Sequence, residues 1–248
     1  MNFRAEVYTR KQLCEALENT AITLVYAPLR LIEPVLSQYS DKIVLIPPVY
    51  LADCEKKTVQ RLRELKEEGF AKALAHTVGH IEMLKSLSFE TYGGVRLNCT
   101  NSDAVHLLSE YELKDAIVSE ELTAERLNRL EKPIQLGFVA YGFLPLMITR
   151  RCPIKNGKPC GTECCRKNIT DRSGRNLNVI CSENTAEILN SDVLFLSDRL
   201  ERFVNMDFAV LKFTVEDNIN AVIEKYINRE TCEVQNFTRG LYFRGVNK

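Results

Sequence analysis

Short runs of strand-forming residues recur along this chain, and helical patterns separate them. Ile43–Pro47 (IVLIP) is the strongest strand signal, and Glu55–Glu68 is the clearest amphipathic helix because Val59, Leu62 and Leu65 share one face. We identify eight strand-like runs, seven of them followed by a helix or helical turn: Phe3–Tyr8, Ile22–Tyr26, Ile43–Pro47, Lys72–Ala75, Gly94–Asn98, Asp115–Val118, Ile134–Tyr141 and Phe208–Phe213.

This alternation predicts parallel strands joined by right-handed crossovers. Eight such units in 248 residues indicate an α/β fold whose strands close into a (β/α)8-type barrel. The alternative is a doubly wound open sheet, but the glycine-rich GxGxxG of a dinucleotide-binding sheet does not follow the first strand. We therefore expect residues 1–248 to form a single barrel domain.

The remaining helices are predicted from apolar stripes and N-cap residues. Asn101 or Ser102 caps one of them, and Thr123 opens another that runs through Leu130. The others are Lys11–Asn19, Ile81–Leu87 and Glu216–Arg229.

The composition of the whole chain limits the class of protein. Its 33 Lys and Arg residues balance 33 Asp and Glu residues, which argues against a general nucleic-acid coat but allows a local basic surface. No apolar run is long enough to cross a bilayer, and the N-terminal MNFRAEVYTRK lacks the apolar region of a secretion signal. We expect a cytoplasmic protein without membrane association, whose nine cysteines stay reduced instead of forming a disulfide framework.

Five of the nine cysteines fall within the stretch from Tyr141 to Cys181. The residues around them are mostly Lys, Arg, Asn, Gly and Pro. A segment of this composition cannot form a stable core without an internal cross-link such as a bound metal. Thiolates are the soft ligands that zinc ions and iron–sulfur clusters prefer. We predict a metal or cluster site that uses four of these five residues, with Cys164 and Cys165 competing for one position: Cys152, Cys160, Cys164, Cys165 and Cys181.

The cysteine-rich segment, residues 150–181, follows the seventh predicted strand. Because the loops at the strand C-termini carry the chemistry of a (β/α)8 barrel, we expect this segment to be an insertion on that rim. Eight Lys and Arg residues from Arg150 to Arg175, against Glu163 and Asp171, leave an excess of six positive charges. Arg150 and Arg151 are candidate contacts for phosphate or another anionic substrate, although a solvated basic face explains them equally well.

The histidines and the remaining cysteines give weaker signals. His76 and His80 have the spacing of a zinc-binding helix, but HTVGH lacks the glutamate of HExxH, and Gly79 disfavours a helix. Both are interpreted as loop-lining or capping residues. His106 lies in a predicted helix with apolar neighbours and is interpreted as structural. Four cysteines outside the cysteine-rich segment are also interpreted as structural: Cys14, Cys54, Cys99 and Cys232. Of these, only Cys99 is a candidate for the barrel mouth.

Several segments together resemble the U32 peptidase family. The resemblance covers most of the chain and is closest to the C-terminal portion of long bacterial members, so we expect a module of a longer protein or an N-terminal partner. The matching segments are YGFLPLM (141–147), CP (152–153), GKPCGTEC (157–164), DRSGR (171–175), FTRGLYFRGV (237–246), Arg96–Leu97–Asn98 and Ser119–Glu120–Glu121–Leu122.

This resemblance implies a barrel with a four-cysteine [4Fe–4S] site. Carried over by motif, the ligands are Cys152, Cys160, Cys164 (or Cys165) and Cys181. Some members are described as collagenase-like proteases, and others take part in oxygen-independent hydroxylation of RNA bases or of a quinone precursor. The expected partner is therefore RNA or a small anionic substrate.

Three positions depart from the family pattern. Gly137 stands about where the family has an acidic residue near the start of the seventh strand. Gly93–Gly94 stands where an aspartate often precedes the fifth strand, and Phe143 stands where we expect arginine after Tyr141–Gly142. These changes put the family's chemistry in question, but not its fold.

The sequence leaves three functions open. We favour an iron–sulfur protein that takes part in hydroxylation or modification of RNA or of a small aromatic acceptor. The cysteines lack the paired CxxC knuckles of zinc sites, and a cubane cluster accommodates looser ligand spacing. The second is a U32-type peptidase, although the sequence has no GxSxG motif. The third is a non-catalytic module of a larger protein with a structural metal, for which zinc is the alternative ion.

Overall fold

The computed structural model of the chain describes residues 1–154, 166–182, 185–232 and 236–245. Seven strands come first, and most of their residues are buried on both faces, as parallel sheets require. Each is hydrogen-bonded in parallel to the next: β1 (Asn2–Glu6), β2 (Ile22–Pro28), β3 (Ile43–Ile46), β4 (Lys72–Ala75), β5 (Glu90–Gly93), β6 (Asp115–Ile117) and β7 (Gln135–Gly142).

Helices connect these strands around the outside of the sheet. The side chains of Thr9, Thr77, Asn101 and Thr123 each accept a hydrogen bond from an amide of the first turn and so cap four of the helices. The helices are α1 (Arg10–Glu18), α2 (Glu55–Glu67), α3 (Val78–Ser86), α4 (Ser102–Glu110) and α5 (Ala124–Leu127). Short 3₁₀ helices cover Leu29–Leu31, Pro34–Tyr39 and Val95–Leu97.

A separate antiparallel sheet follows β7 and carries the cysteine-rich segment. Its strands are β8 (Pro145–Thr149), β9 (Arg166–Thr170), β10 (Asn176–Ser182) and β11 (Thr185–Leu189), in the spatial order β8-β11-β10-β9. A small apolar cluster of Val179, Ala186 and Ile188 supports this insertion sheet. The chain then returns to the barrel through β12 (Val193–Phe195), which pairs antiparallel with β7.

The eighth barrel strand, β13 (Phe208–Lys212), closes the structure. It pairs in parallel with β7 on one side and with β1 on the other. This double pairing confirms the predicted (β/α)8-type barrel and excludes the open doubly wound sheet. The chain continues through α6 (Ile219–Ile227) to a short strand, β14 (Phe237–Thr238), beside β12.

The prediction of the fifth strand was wrong. The strand is Glu90–Gly93, whereas Val95–Leu97 forms a 3₁₀ helix that ends at Asn98 in the left-handed conformation, with φ of 51°. A β-carbon at Gly93 would lie 3.0 Å from the β-carbon of Ala116 on β6. Glycine at position 93 therefore permits the close approach of β5 and β6.

Two local predictions about the histidines also need correction. Gly79 does not prevent a helix, because α3 begins at Val78 and includes both Gly79 and His80. His106 does not pack in an apolar environment: its side chain is about half exposed, and Nε2 lies 2.7 Å from Oε2 of Glu131.

In the part of the chain that the structure describes, no helix combines the length and the apolar character needed to cross a bilayer.

The barrel interior explains why residue 137 is glycine. A β-carbon at Gly137 would lie 2.1 Å from the Phe208 ring of the neighbouring strand β13. The guanidinium of Arg4 lies 3.4 Å from the centre of that ring. Nη1 of Arg4 also donates to Oδ2 of Asp115 at 2.5 Å and to the Tyr26 hydroxyl at 2.7 Å. The ring therefore fills the space of a side chain and supports a buried ion pair.

Substitution of Gly137 by alanine should destabilise the protein by about 1–3 kcal/mol, because the new methyl group forces Phe208 out of its packed position. Gly79→Ala is the matched control. Its β-carbon meets only Oγ1 of Thr77 at 3.9 Å, and alanine is the better helix former, so a gain of about 0.5–1 kcal/mol is expected. Urea unfolding of both variants tests the pair, and equal stabilities would contradict the packing argument.

Candidate functional site

Charged side chains stand at the C-terminal ends of the barrel strands. Glu6 is the last residue of β1, Lys212 is the last residue of β13, and the two are register partners. Nζ of Lys212 lies 3.4 Å from Oε1 of Glu6, which also accepts a hydrogen bond of 3.2 Å from the Tyr8 hydroxyl. Glu6 and Lys212 are both buried. The closure of the barrel thus brings an ion pair to the rim where (β/α)8 enzymes carry their chemistry.

The insertion sheet contributes another buried carboxylate to the same place. Glu187 on β11 is 3% exposed. Its Oε2 lies 2.9 Å from Nη2 of Arg96, which belongs to the 3₁₀ helix after β5. Glu187 therefore fastens the insertion sheet over the barrel mouth.

Glu120, which follows β6, is a further carboxylate whose charge acts on Lys212. We call six residues the barrel-mouth cluster: Glu6, Tyr8, Arg96, Glu120, Glu187 and Lys212. Five of them, all except Glu120, line a cavity of about 30 Å³ together with His76, enough for roughly one or two water molecules. Pro145 of β8 and Pro47 after β3 also line this cavity. The charged groups of the mouth are therefore largely shielded from bulk water.

The cluster contains charges of both signs in a desolvated setting. Burial alone lowers the pKa of Lys212, but Glu6, Tyr8, Glu187 and Glu120 together raise it above its ordinary value. Lys212 therefore stays positively charged at neutral pH. Burial also raises the pKa of Glu120 to about 6; Glu6 and Glu187 add to the increase, while Lys212 and Arg96 oppose it. Glu120 can consequently gain or lose a proton near neutral pH, as a general acid or base must.

His76 borders the cluster as a neutral ring. Burial lowers its pKa well below the ordinary value, with further contributions from Arg96, His80 and Lys212. The backbone N–H of His76 donates to Nδ1 of His80 at 3.2 Å. A β-carbon at Gly94 would lie 2.7 Å from Nδ1 of His76. Glycine at a position where the family pattern often has aspartate thus leaves room for this ring.

Two of the predicted cysteine ligands lie in the described part of the insertion, and both are half-buried: Cys152 and Cys181. Cys181 on β10 is the register partner of Ala186 on β11, and Ala186 is the partner of Thr149 at the end of β8. Cys152 follows Thr149 by three residues, so both thiols lie at the same end of the insertion sheet. Cys160, Cys164 and Cys165 lie outside the described residues.

The two arginines predicted to contact an anion are exposed at the start of the insertion. The guanidinium of Arg150 pairs with Asp53, in the connection after β3, and lies 4.7 Å from the centre of the Tyr50 ring. Arg151 makes backbone hydrogen bonds with Oγ1 of Thr149. The charge of Arg150 is thus partly neutralised within the chain, and phosphate contact by either arginine stays a prediction.

Among the described residues, no group of three or more His, Cys, Asp or Glu side chains is arranged to hold a metal ion. The four-cysteine site therefore stays a prediction. The HTVGH histidines do not form an independent metal site with other described residues.

Sequence reasoning did not find the centre of the barrel mouth. Glu6, Tyr8, Glu187 and Lys212 received no functional prediction, and Arg96 and Glu120 were noted only as parts of family-like motifs. One signal was available: the predicted strands Phe3–Tyr8 and Phe208–Phe213 each carry a charged residue, Glu6 or Lys212, close to their C-terminal end, and strand ends are the functional rim of a barrel. Glu187 carried no comparable signal, because its position depends on the insertion sheet.

These features define a closed, parallel α/β barrel whose C-terminal mouth holds buried charged groups beneath a cysteine-bearing sheet. The profile of peptidase family U32 matches residues 35–217, about three quarters of the chain, and the chain belongs to this family. The resemblance seen in the motifs is thereby confirmed. A comparison with curated proteins finds no match.

Substitution of Glu120 by glutamine should change how stability depends on pH. The pKa of Glu120 rises from an ordinary 4.5 to about 6 on folding, so the folded state binds its proton more tightly than the unfolded state does. This contribution to stability is present below pH ~4.5 and is lost as pH rises through ~6. The wild-type free energy of unfolding should therefore fall by about 1 kcal/mol more than that of Glu120→Gln between pH ~5 and ~7. Urea titrations at the two pH values measure this difference, and parallel profiles would show that Glu120 does not titrate there.

Proposed function

We propose that this U32 protein binds an iron–sulfur cluster and takes part in oxygen-independent hydroxylation or modification of RNA or of a small aromatic acceptor. The observation that carries the proposal is the seating of the insertion sheet: the segment that bears Cys152 and Cys181 is fastened to the barrel mouth by Glu187. A cofactor held by this segment would lie beside the acid–base groups of the barrel.

The described donors fit such a cofactor. Cys152 and Cys181 are soft thiol donors at one end of a sheet, and both Cys160 and one of Cys164 or Cys165 would complete four ligands. When bound, a [4Fe–4S] cluster supplies one-electron transfer. Zinc would use the same thiolates for a structural role, and the metal content separates the two possibilities.

The chain's own residues would supply the proton chemistry. Glu120, with its pKa of about 6, can take a proton from a substrate or return it. Lys212 and Arg96 can stabilise negative charge that develops on a substrate at the mouth. The small cavity and the proline-rich wall around it restrict the entry of water, which suits a reaction in which bulk water must not compete.

The peptidase alternative receives little support from the described residues. Cys99 is buried, and burial raises the pKa of its thiol to about 11, so it is protonated and a poor nucleophile at neutral pH. The Ser119 hydroxyl donates to Asn98, and that of Ser197 donates to backbone carbonyls. In the described ranges no hydroxyl or thiol is hydrogen-bonded to the imidazole ring of a histidine, as an activated nucleophile would be.

Protein purified without oxygen should contain about four iron atoms and matching sulfide per chain. The Cys152→Ser and Cys181→Ser variants should each lose most of this iron, because removal of one ligand opens the site. Cys14→Ser is the matched control, since Cys14 lies on α1 outside the insertion, and it should retain the wild-type amount. Stoichiometric zinc without iron in the wild-type protein would refute the cluster and support the structural module.

The reaction class can be tested in cells that lack the gene. Total RNA nucleosides and quinone precursors from the mutant should lack one hydroxylated species by mass spectrometry. The wild-type gene should restore it, whereas genes for Cys181→Ser and Glu120→Gln should not, and Cys14→Ser should restore it fully. Unchanged nucleosides and quinones, together with cleavage of casein or gelatin by the purified protein, would favour the peptidase.

A further inference from the structure

A second pocket lies beside the barrel mouth, between the barrel rim and the insertion sheet. It has a volume of about 230 Å³, many times the space that one water molecule needs. The barrel contributes residues that follow β1, β2 and β13, and the sheet contributes two residues of β10: Tyr8, Thr9, Arg10, Arg30, Leu31, Thr214, Ile180 and Cys181. One wall of this pocket is therefore a predicted cluster ligand.

The pocket contains two arginines and no carboxylate among its lining residues. Nη2 of Arg30 donates to the backbone carbonyl of Tyr8 at 2.7 Å. This bond fixes the position of the guanidinium, but its acceptor is neutral and does not compensate the positive charge. Arg10 pairs with Glu33, and both side chains are about half exposed. Arg30 is therefore the stronger candidate for an anion contact, and Arg10 contributes the weaker field of a shared charge.

The N-terminus of α1 opens into the same pocket through Thr9 and Arg10. The capping bonds use Oγ1 of Thr9 for the amide of Gln12 and the carbonyl of Thr9 for the amide of Leu13. The amides of Arg10 and Lys11 lie in the first turn, where the helix itself offers no carbonyl to accept their hydrogen bonds. The first turn of this nine-residue helix has no acidic side chain, so its partial positive charge is not neutralised locally.

A buried hydroxyl without a partner gives independent support for a ligand. Thr214 is 1% exposed and lines the pocket. Its Oγ1 has no hydrogen-bond partner among the described residues. A buried polar atom without a partner costs about 1–3 kcal/mol, and an anionic ligand in the pocket would accept the missing bond.

We propose that this pocket binds a small oxyanion, a carboxylate or a phosphate, through Arg30, the Thr214 hydroxyl and the first turn of α1. This is a specific anion site on the barrel rim, distinct from Arg150 and Arg151 on the exposed start of the insertion. Its role as the place where the substrate's anionic group is held against Cys181 rests on the proposed function. The binding itself depends on neither iron nor zinc.

The test uses malonate and inorganic phosphate as probes, in calorimetric titrations at constant ionic strength. Arg30→Gln should weaken binding roughly tenfold, and Thr214→Val, which removes the hydroxyl with little change of shape, should weaken it several-fold. Arg63→Gln is the matched control, because it removes the same charge from an exposed position on α2, and it should bind as the wild type does. Binding of malonate alone indicates a carboxylate ligand, and binding of phosphate alone or of both indicates a site that accepts a phosphate ester.

Two further results would overturn the proposal: neither probe binds the wild type, or Arg30→Gln and Thr214→Val both bind like Arg63→Gln. Thermal melting without anion shows that the variants are folded. The same titration with Cys152→Ser separates this proposal from the previous one, since Cys152 does not line the pocket. Anion binding that persists in this iron-depleted variant supports the anion pocket. A wild-type protein that contains iron but binds neither anion would support the proposed cluster and refute the anion pocket.

Discussion

The burial of Lys212 is the constraint on which the arrangement of the barrel mouth depends. The residue is 4% exposed and stands at the end of the strand that closes the barrel. A charge in such a setting is tolerated only with opposite charges nearby, and these come from three separate parts of the chain. Glu6 arrives with β1, Glu120 follows β6, and Glu187 comes from the insertion sheet. The closure of the barrel and the seating of the insertion therefore satisfy one electrostatic requirement.

The burial of these charges also drives the pKa values of neighbouring groups apart. Lys212 is held in its charged form by the carboxylates, while burial keeps the nearby His76 neutral. Glu120 lies between these extremes, with a pKa of about 6. Groups of one site whose pKa values are driven apart can act as fixed charge and as proton carrier at the same pH. The proposed enzymatic role of the mouth thus rests on these environments more than on any single motif.

The sequence predicted the features that depend on local pattern. Apolar runs located seven of the eight barrel strands, and Asn101 and Thr123 cap helices as their residue types indicate. The prediction placed the fifth strand at Gly94–Asn98, whereas β5 ends at Gly93, which allows the strand to approach Ala116 closely. The barrel-mouth cluster could not be assembled in advance, since Glu6 and Glu187 are far apart in sequence and belong to two different sheets, whose packing brings both residues to one cavity. The position of Glu187 on β11 depends on its pairing with Ile148 of β8, which composition does not determine.

The departures from the family pattern acquire a physical meaning in this structure. At Gly137 the space of a side chain is taken by the Phe208 ring, and at Gly94 it is taken by the His76 ring. Each of these two glycines, where the resemblance led us to expect an acidic residue, thus packs against an aromatic or imidazole ring. The buried carboxylates of this chain are instead Asp115 beside Arg4 in the interior and Glu6 with Glu187 at the mouth. Because Glu6 and Glu187 lie at the rim while the interior carboxylate, Asp115, is held in an ion pair with Arg4, we infer that any proton chemistry in this member lies at the mouth, next to the cysteine-bearing sheet.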